Sequence, residues 1–129
     1  MSTTTVKLNH INLTVTDVGA SAAFFELYFN FKTIDVKGNN MMAILEGADG
    51  FILVLMADTF NRDGNNVYPG AFHIGFLVDT HNAVTEVYER LNAGGFAAGQ
   101  APGSLRGGFG FYFTAPGNIL TEVTCLSKN

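Results

Sequence analysis

Two histidines occupy corresponding positions in the two halves of the chain, and one glutamate completes a set of metal-ligating side chains. His10 and His73 each precede an isoleucine and lie on the strand face opposite the aliphatic residues. Glu122 lies in an otherwise apolar strand, where a carboxylate is costly to bury unless it is paired or coordinates an ion. Two neutral imidazoles and one carboxylate form a facial triad with positions left open for substrate. These residues therefore predict a site for one divalent ion, which could be Fe, Mn, Ni, Co or Zn.

Each residue of this triad also has a purely structural interpretation. A single histidine is commonly a satisfied residue at a sheet surface, and a glutamate on a terminal strand can occupy an exposed edge. Two histidines at matched positions weaken the first alternative, because internal symmetry would bring them close together across the junction of the two halves. We therefore expect His10, His73 and Glu122 to act together rather than separately.

The elements that must position these residues repeat along the chain. Each half shows a strand, a helix and three further strands, so the sequence predicts an α+β fold of tandem βαβββ modules. The first module spans residues 7–57 and the second 70–126. A polar, turn-forming segment over 58–70 joins them, within a single domain over 1–129.

Local signals predict the bounds of these elements. Asp17 is a candidate cap for the first helix, and Asp79 or Thr80 for the second. Glycines 94 and 95 end the second helix, and a glycine-rich loop covers 99–108. Strands are predicted over 7–16, 32–37, 41–46, 51–56, 71–78, 96–98, 109–114 and 119–126, and helices over 20–29 and 82–92.

Composition narrows the function classes. The chain of 129 residues carries a net charge of −4 with no run of Lys or Arg, so nucleic acid is not an expected partner. Its longest uncharged apolar run, 51–57, is far short of the about 20 residues of a membrane span. One cysteine, Cys125, and no leader-like start fit a reducing, cytoplasmic setting. Charged residues make up 14%, against roughly 25% in an average soluble domain, and the resulting apolar surface predicts a homodimer.

The doubled module, with a histidine at the start of each half and a glutamate on the final strand, resembles the vicinal oxygen chelate superfamily. This group holds glyoxalase I, bleomycin-resistance proteins, fosfomycin-resistance thiol transferases and extradiol dioxygenases. The resemblance extends from about residue 7 to 126. It implies a U-shaped, half-barrel mixed sheet that cups a metal, with the helices outside, and in short chains a dimer. Three segments carry it: HINLTVTD at 10–17, FHIGF at 72–76 and FYFTAPGNILTEV at 111–123.

The resemblance also implies roles for individual residues. His10, His73 and Glu122 match the metal ligands of the thiol transferases and dioxygenases, and Tyr112 matches a substrate-contacting tyrosine that could donate a proton. Val54 takes the place of the further glutamate ligand of glyoxalase I, which argues against a conventional glyoxalase I reaction. The third histidine, His81, is expected at a helix cap, away from the cavity.

These observations predict a metal-dependent enzyme that acts on a small, apolar or aromatic, oxygen-chelating substrate. Lyase, isomerase, transferase and dioxygenase reactions all remain open. Tyr112 and Glu122 are the predicted catalytic residues. A metal-free protein that sequesters a small molecule, as bleomycin-resistance proteins do, is the alternative, and the excess of acidic over basic residues would suit a cationic ligand. The predicted substrate contacts are Asn12, Phe51, Phe60, Arg106, Phe109 and Tyr112.

Overall fold

The computed structural model describes residues 3–60, 67–96 and 100–126. The chain divides into two units, Met1–Gly64 and Asn65–Asn129. Each unit holds one helix and one four-stranded mixed sheet, which confirms the α+β fold of tandem βαβββ modules. Residues 61–66 of the predicted linker lie outside the described residues.

The first unit builds its sheet in the order β1-β4-β3-β2. Strand β1 pairs with β4 in parallel, and the other neighbours are antiparallel. A parallel pair needs a crossover connection, which the helix and two strands between β1 and β4 provide. The elements are β1 (His10–Val15), α1 (Val18–Phe29), β2 (Lys32–Lys37), β3 (Met42–Glu46) and β4 (Ile52–Ala57), followed by a 3-10 turn (Asp58–Phe60).

Helix α1 begins and ends where its flanking residues dictate. The Asp17 side chain accepts a hydrogen bond of 3.0 Å from the Ala20 backbone N–H, as an N-cap does. Asn30 adopts the left-handed conformation and ends the helix. The helix packs Phe24 and Phe25 on the lower face of the sheet, where alternate strand residues such as Leu13 are buried. The upper face therefore carries His10 and Asn12, as the alternation predicts.

The second unit repeats this order as β5-β8-β7-β6. Strand β8 lies between β5, to which it is parallel, and β7, to which it is antiparallel. Of the two predicted caps for α2, Thr80 is the one used, because its hydroxyl accepts from the Ala83 backbone N–H at 3.0 Å. The elements are β5 (His73–Leu77), α2 (His81–Ala93), β6 (Gly103–Leu105), β7 (Gly108–Ala115) and β8 (Ile119–Cys125).

The sequence prediction for strand β6 was wrong. The structure forms this strand at Gly103–Leu105, inside the segment predicted as a glycine-rich loop. The strand predicted over 96–98 falls mostly outside the described residues, and its first residue, Phe96, is in no strand. Three residues with a glycine at one end carry too little alternation to identify a strand.

The helices of the described residues were compared with the requirements of a membrane span. Within residues 3–60, 67–96 and 100–126, neither α1 nor α2 has the length and apolar character that crossing a membrane demands.

Two glycines that face each other across β6 and β7 should respond differently to a methyl group. A Cβ on Gly110 would collide with the Val123 carbonyl and the Thr124 backbone, whereas a Cβ on Gly103 meets nothing within 4 Å. We expect Gly110→Ala to lower the free energy of unfolding by about 2–3 kcal/mol. The matched control, Gly103→Ala, should change it by less than about 1 kcal/mol. Urea denaturation measures both, and equal losses would contradict this packing.

Candidate functional site

One face of the second sheet gathers the predicted functional residues of that unit. Glu122 pairs with Gly75 on one side and with Tyr112 on the other, and His73 pairs with Leu120, the residue two before Glu122. Because residues opposite one another share a face, His73, Tyr112 and Glu122 project together. Glu122 belongs to the central strand and is 6% exposed, so it does not occupy an exposed edge.

The Glu122 carboxylate is the centre of a polar cluster. Its Oε1 lies 3.6 Å from His73 Nε2, and it also accepts a hydrogen bond from the Arg106 guanidinium. The same guanidinium donates to the Tyr112 hydroxyl at 2.9 Å. The His73 ring stands edge-on to the Tyr112 ring, with centroids 5.7 Å apart. Three side chains, from β5, β7 and the β6–β7 turn, therefore converge on the buried carboxylate of β8.

The backbone fixes the tautomer of His73. Its Nδ1 lies 3.0 Å from the Ala71 carbonyl oxygen, which can only accept a hydrogen bond. Nδ1 therefore carries a proton, and in the neutral ring this leaves Nε2, the nitrogen on the side of Glu122, as an acceptor. A backbone carbonyl on the other ring nitrogen is the usual support of a metal-binding histidine. Two acceptors, Nε2 and the carboxylate, thus face one another across a gap that favours a cation.

Arg106 reaches this cluster from a tight turn. Leu105 and Gly108 are paired, so Arg106 and Gly107 form a two-residue hairpin turn. Both have positive φ, 46° and 79°, which is the type I′ pattern. Asn, Asp and Gly usually occupy the first position, because larger side chains are strained there. An arginine is held in this conformation with its guanidinium over Glu122.

Hydrogen bonding to the Glu122 carboxylate is the largest effect on Tyr112 and raises the pKa of its hydroxyl above the ordinary 10.0. Burial and the negative charge of Glu122 raise this pKa further, and the Arg106 charge lowers it in part. Tyr112 is therefore a protonated hydrogen-bond donor at neutral pH.

A cleft of about 630 Å³ borders this cluster at Tyr112. A volume of this size suits a small-molecule ligand. Its walls combine aromatic and aliphatic side chains with polar ones, among them Gln100 and Thr114. The lining residues are Gly95, Phe96, Gln100, Tyr112, Phe113, Thr114 and Leu120.

The donor atoms at Glu122 fit a divalent ion. A nitrogen and an oxygen that share one ion at about 2.1 Å are about 3.0–3.4 Å apart, and His73 Nε2 and Glu122 Oε1 are 3.6 Å apart. Gly75, beside Glu122, leaves open space above the sheet. Across the part of the chain that the structure describes, His, Cys, Asp and Glu side chains form no group of three or more that could hold a metal. His73 and Glu122 thus offer two side chains of a kind that can bind a metal.

Of the predicted residues of the first unit, His10 and Asn12 lie on the corresponding face of its own sheet. His10 and Asn12 are exposed on β1, and Asn12 pairs with Val54. His10 Nδ1 lies 3.1 Å from Asn9 Oδ1, so this imidazole also has an oxygen at Nδ1. Phe51 is half-buried immediately before β4, and Phe60 is 52% exposed on the 3-10 turn.

Phe109 faces away from the cluster. Its ring stacks on His81 at the start of α2, with centroids 4.2 Å apart and planes within 12°. Alternation along β7 puts Phe109 on the helix side of the sheet and Tyr112 on the other side. The structure therefore does not bring Phe109 to the face that carries Glu122, and it places His81 at the helix start, as predicted.

Comparison with known proteins identifies the family. The model of the Glyoxalase/Bleomycin resistance protein/Dioxygenase superfamily matches residues 7–123. The chain belongs to this superfamily. A search of curated proteins found no match.

Several solved structures resemble this superfamily member. A possible glyoxalase from Bacillus cereus is 36% identical with a TM-score of 0.80, and the match covers 94% of this chain and 100% of that chain. A fosfomycin resistance protein, FosX, from Listeria monocytogenes is 25% identical with a TM-score of 0.76, covering 97% and 94%. A family enzyme from Burkholderia phytofirmans PsJN is 18% identical with a TM-score of 0.81, covering 95% and 100%, and shows the fold alone.

The sequence did not predict every residue of the cluster and the cleft at Glu122. Alternation from Tyr112 and Glu122 could have assigned Thr114 and Leu120 to the same face, since each is two residues away. No sequence signal identified Gln100 as a residue of the cleft, because it follows a segment without hydrophobic periodicity. The pairing of Arg106 with Glu122 was also not foreseen, because an Arg-Gly pair is not a usual type I′ signature.

The raised pKa of Tyr112 predicts how the metal-free protein responds to alkaline pH. Glu122→Gln removes the carboxylate that raises this pKa, so the Tyr112 hydroxyl should ionise at lower pH in that variant. Because the folded-state pKa exceeds the ordinary 10.0, the contribution of Tyr112 to stability is complete below that pH and is lost as the pH rises through the folded-state pKa.

Near-ultraviolet absorbance of the phenolate, taken with chelator present and after subtraction of a Tyr112→Phe protein, measures this ionisation. The exposed Glu46→Gln is the control and should leave the curve unchanged. An identical Tyr112 curve in wild type and Glu122→Gln would contradict the assigned contact.

Proposed function

We propose that the protein is a metal-dependent enzyme that acts on a small, partly apolar substrate bearing adjacent oxygens. One observation carries this proposal: the buried Glu122 carboxylate lies 3.6 Å from His73 Nε2, whose ring is held by a backbone carbonyl at Nδ1. A carboxylate so poorly exposed is stable only with a cation or donors beside it. Neutral imidazole and carboxylate are ligands that Fe, Mn, Co, Ni and Zn all accept.

His73 and Glu122 would hold the ion, and the family resemblance adds His10 as a third ligand. Bound there, a divalent ion supplies Lewis-acid polarisation of a chelated oxygen. Tyr112 holds its proton beside Glu122, so its hydroxyl can donate a hydrogen bond or a proton to a substrate oxygen. Arg106 offers a guanidinium suited to an anionic oxygen.

The substrate proposal rests on the cleft beside Tyr112. Apolar side chains in its walls, Phe96 and Leu120 among them, suit an apolar or aromatic part of a substrate, and Gln100 and Thr114 can hydrogen-bond its polar groups. Asn12, Phe51 and Phe60 stay predicted contacts from the first unit. The family includes unrelated chemistries on one scaffold, so the proposal names a substrate class and no single reaction.

A metal-free binding protein is the second candidate, and one contact favours it. Arg106 already neutralises Glu122 without any ion, so the cluster is electrostatically satisfied as an all-protein arrangement. In that case the cleft would sequester a small molecule, and His73 and Glu122 would be structural.

We also propose that the protein is a cytoplasmic homodimer. Support for self-association comes from large apolar side chains that keep about half or more of their surface exposed. The compartment is inferred from one buried cysteine, Cys125, which cannot form an intramolecular disulfide. The exposed apolar residues are Val6, Leu8, Leu27, Ile34, Val36, Phe60, Val67, Leu77 and Leu126.

Metal content tests the enzyme proposal. Purified without an affinity tag or chelator, the protein should carry about one divalent ion per chain by mass spectrometry. His73→Ala and Glu122→Gln should each weaken binding by at least about 100-fold, since loss of a mere supporting group already costs 10- to 100-fold. His10→Ala should do the same if His10 is the third ligand.

His81→Gln is the matched control, because it removes a histidine outside the cluster and should leave metal content unchanged. A protein that takes up no ion after loading would refute the enzyme proposal and leave the binding protein. Uptake that survives Glu122→Gln would put the ion elsewhere.

A further inference from the structure

We propose that Arg106 is a tethered counterion of Glu122 that a divalent ion must displace in order to bind. Arg106 then acts as an internal competitor that sets the metal affinity of the site. The inference rests on the proposed function, because it concerns the same two ligands, His73 and Glu122.

The first support is that the two cations need the same oxygen. Glu122 Oε1 lies 3.6 Å from His73 Nε2, and the same oxygen accepts a hydrogen bond from Arg106 Nη2. A metal bonded to this oxygen at about 2.1 Å has no room for a guanidinium nitrogen in hydrogen-bonding contact at the same lone pair. Like charges would also repel at that distance. The metal and Arg106 therefore compete for Oε1.

The second support is the unequal exposure of the pair. The Glu122 side chain is 8% exposed and cannot be rehydrated where it lies, whereas the Arg106 side chain is 61% exposed. A displaced guanidinium can regain water by rotating about its side-chain bonds, and a carboxylate in a central strand cannot. Arg106 is therefore the partner that leaves.

The third support is the turn that carries Arg106. The residue holds a positive φ of 46°, which suits Asn or Gly better than a long side chain. The turn keeps the Cα of Arg106 within one side-chain length of Glu122 whichever way the guanidinium points. Tethering keeps the local concentration of this competing cation high. Arg106 should therefore weaken metal binding even where the same concentration of a free cation would not.

Replacing Arg106 with asparagine tests the inference cleanly. Asparagine accepts the left-handed conformation, so Arg106→Asn removes the guanidinium while keeping or improving the turn. Arg90→Ala is the matched control, because it removes one positive charge from α2 in the same unit. Circular dichroism and urea unfolding verify that both variants fold.

The probe is Co²⁺, followed by titration calorimetry and by its visible absorption. Arg106→Asn should bind Co²⁺ at least about tenfold more tightly than wild type, and Arg90→Ala should match wild type. Millimolar methylguanidinium should compete with Co²⁺ in Arg106→Asn and have no such effect in wild type, where the tethered group is already present. If Arg106 had a merely structural role, methylguanidinium would not compete with Co²⁺ in Arg106→Asn.

The outcomes separate the two proposals. Equal or weaker Co²⁺ binding in Arg106→Asn, with wild type binding, would overturn the counterion role and leave the metal site intact. Absence of Co²⁺ binding in both proteins would overturn both. Binding by Arg106→Asn alone would support the counterion role in its strongest form, in which Arg106 keeps the ion out of the wild-type site.

Discussion

The burial of the Glu122 carboxylate in the middle of a sheet is the constraint on which the second unit depends. A charge in that position must be compensated locally. Two neighbouring elements supply compensating hydrogen-bond donors: β7 brings Tyr112 by antiparallel pairing, and the β6–β7 turn brings Arg106. Parallel pairing with β5 puts His73 beside the same carboxylate, where Nε2 and the carboxylate can share a cation. The register of β5, β8 and β7, which the hydrophobic core sets, thus brings these groups to one charge.

The internal duplication shows what is special to the second unit. Pairing gives His10 and His73 equivalent places, opposite Ile52 and Leu120. By the same register, the residue of the first unit that corresponds to Glu122 is Val54, opposite Asn12. The same scaffold therefore has an apolar residue in one copy and a carboxylate in the other, so the charge is not needed for the fold. A buried charge that the fold does not require points to function.

Which features the sequence predicts depends on whether each of them leaves a local pattern in the residues. Alternation in β1 and β5 correctly assigned His10 and His73 to the faces opposite the core, and capping chemistry located α1 through Asp17. The three-residue strand β6 had no such signal, because its residues include a glycine and too few alternations. The opposite orientation of Phe109 follows from the parity of β7, but its stacking on His81 depends on how α2 lies against the sheet, which is tertiary information.

The cluster also explains why one scaffold can suit both candidate functions. Glu122 needs a positive partner in any state, but neither the strand nor the core specifies whether that partner is a guanidinium or a metal ion. With Arg106 in contact, the face presents a neutral, hydrogen-bonded surface beside the cleft. With an ion at His73 and Glu122, the same face presents an electrophile and a released guanidinium. Metal-dependent chemistry and metal-free binding would then differ in which cation wins a single oxygen, and the type I′ turn at Arg106 is the local structure that biases this competition.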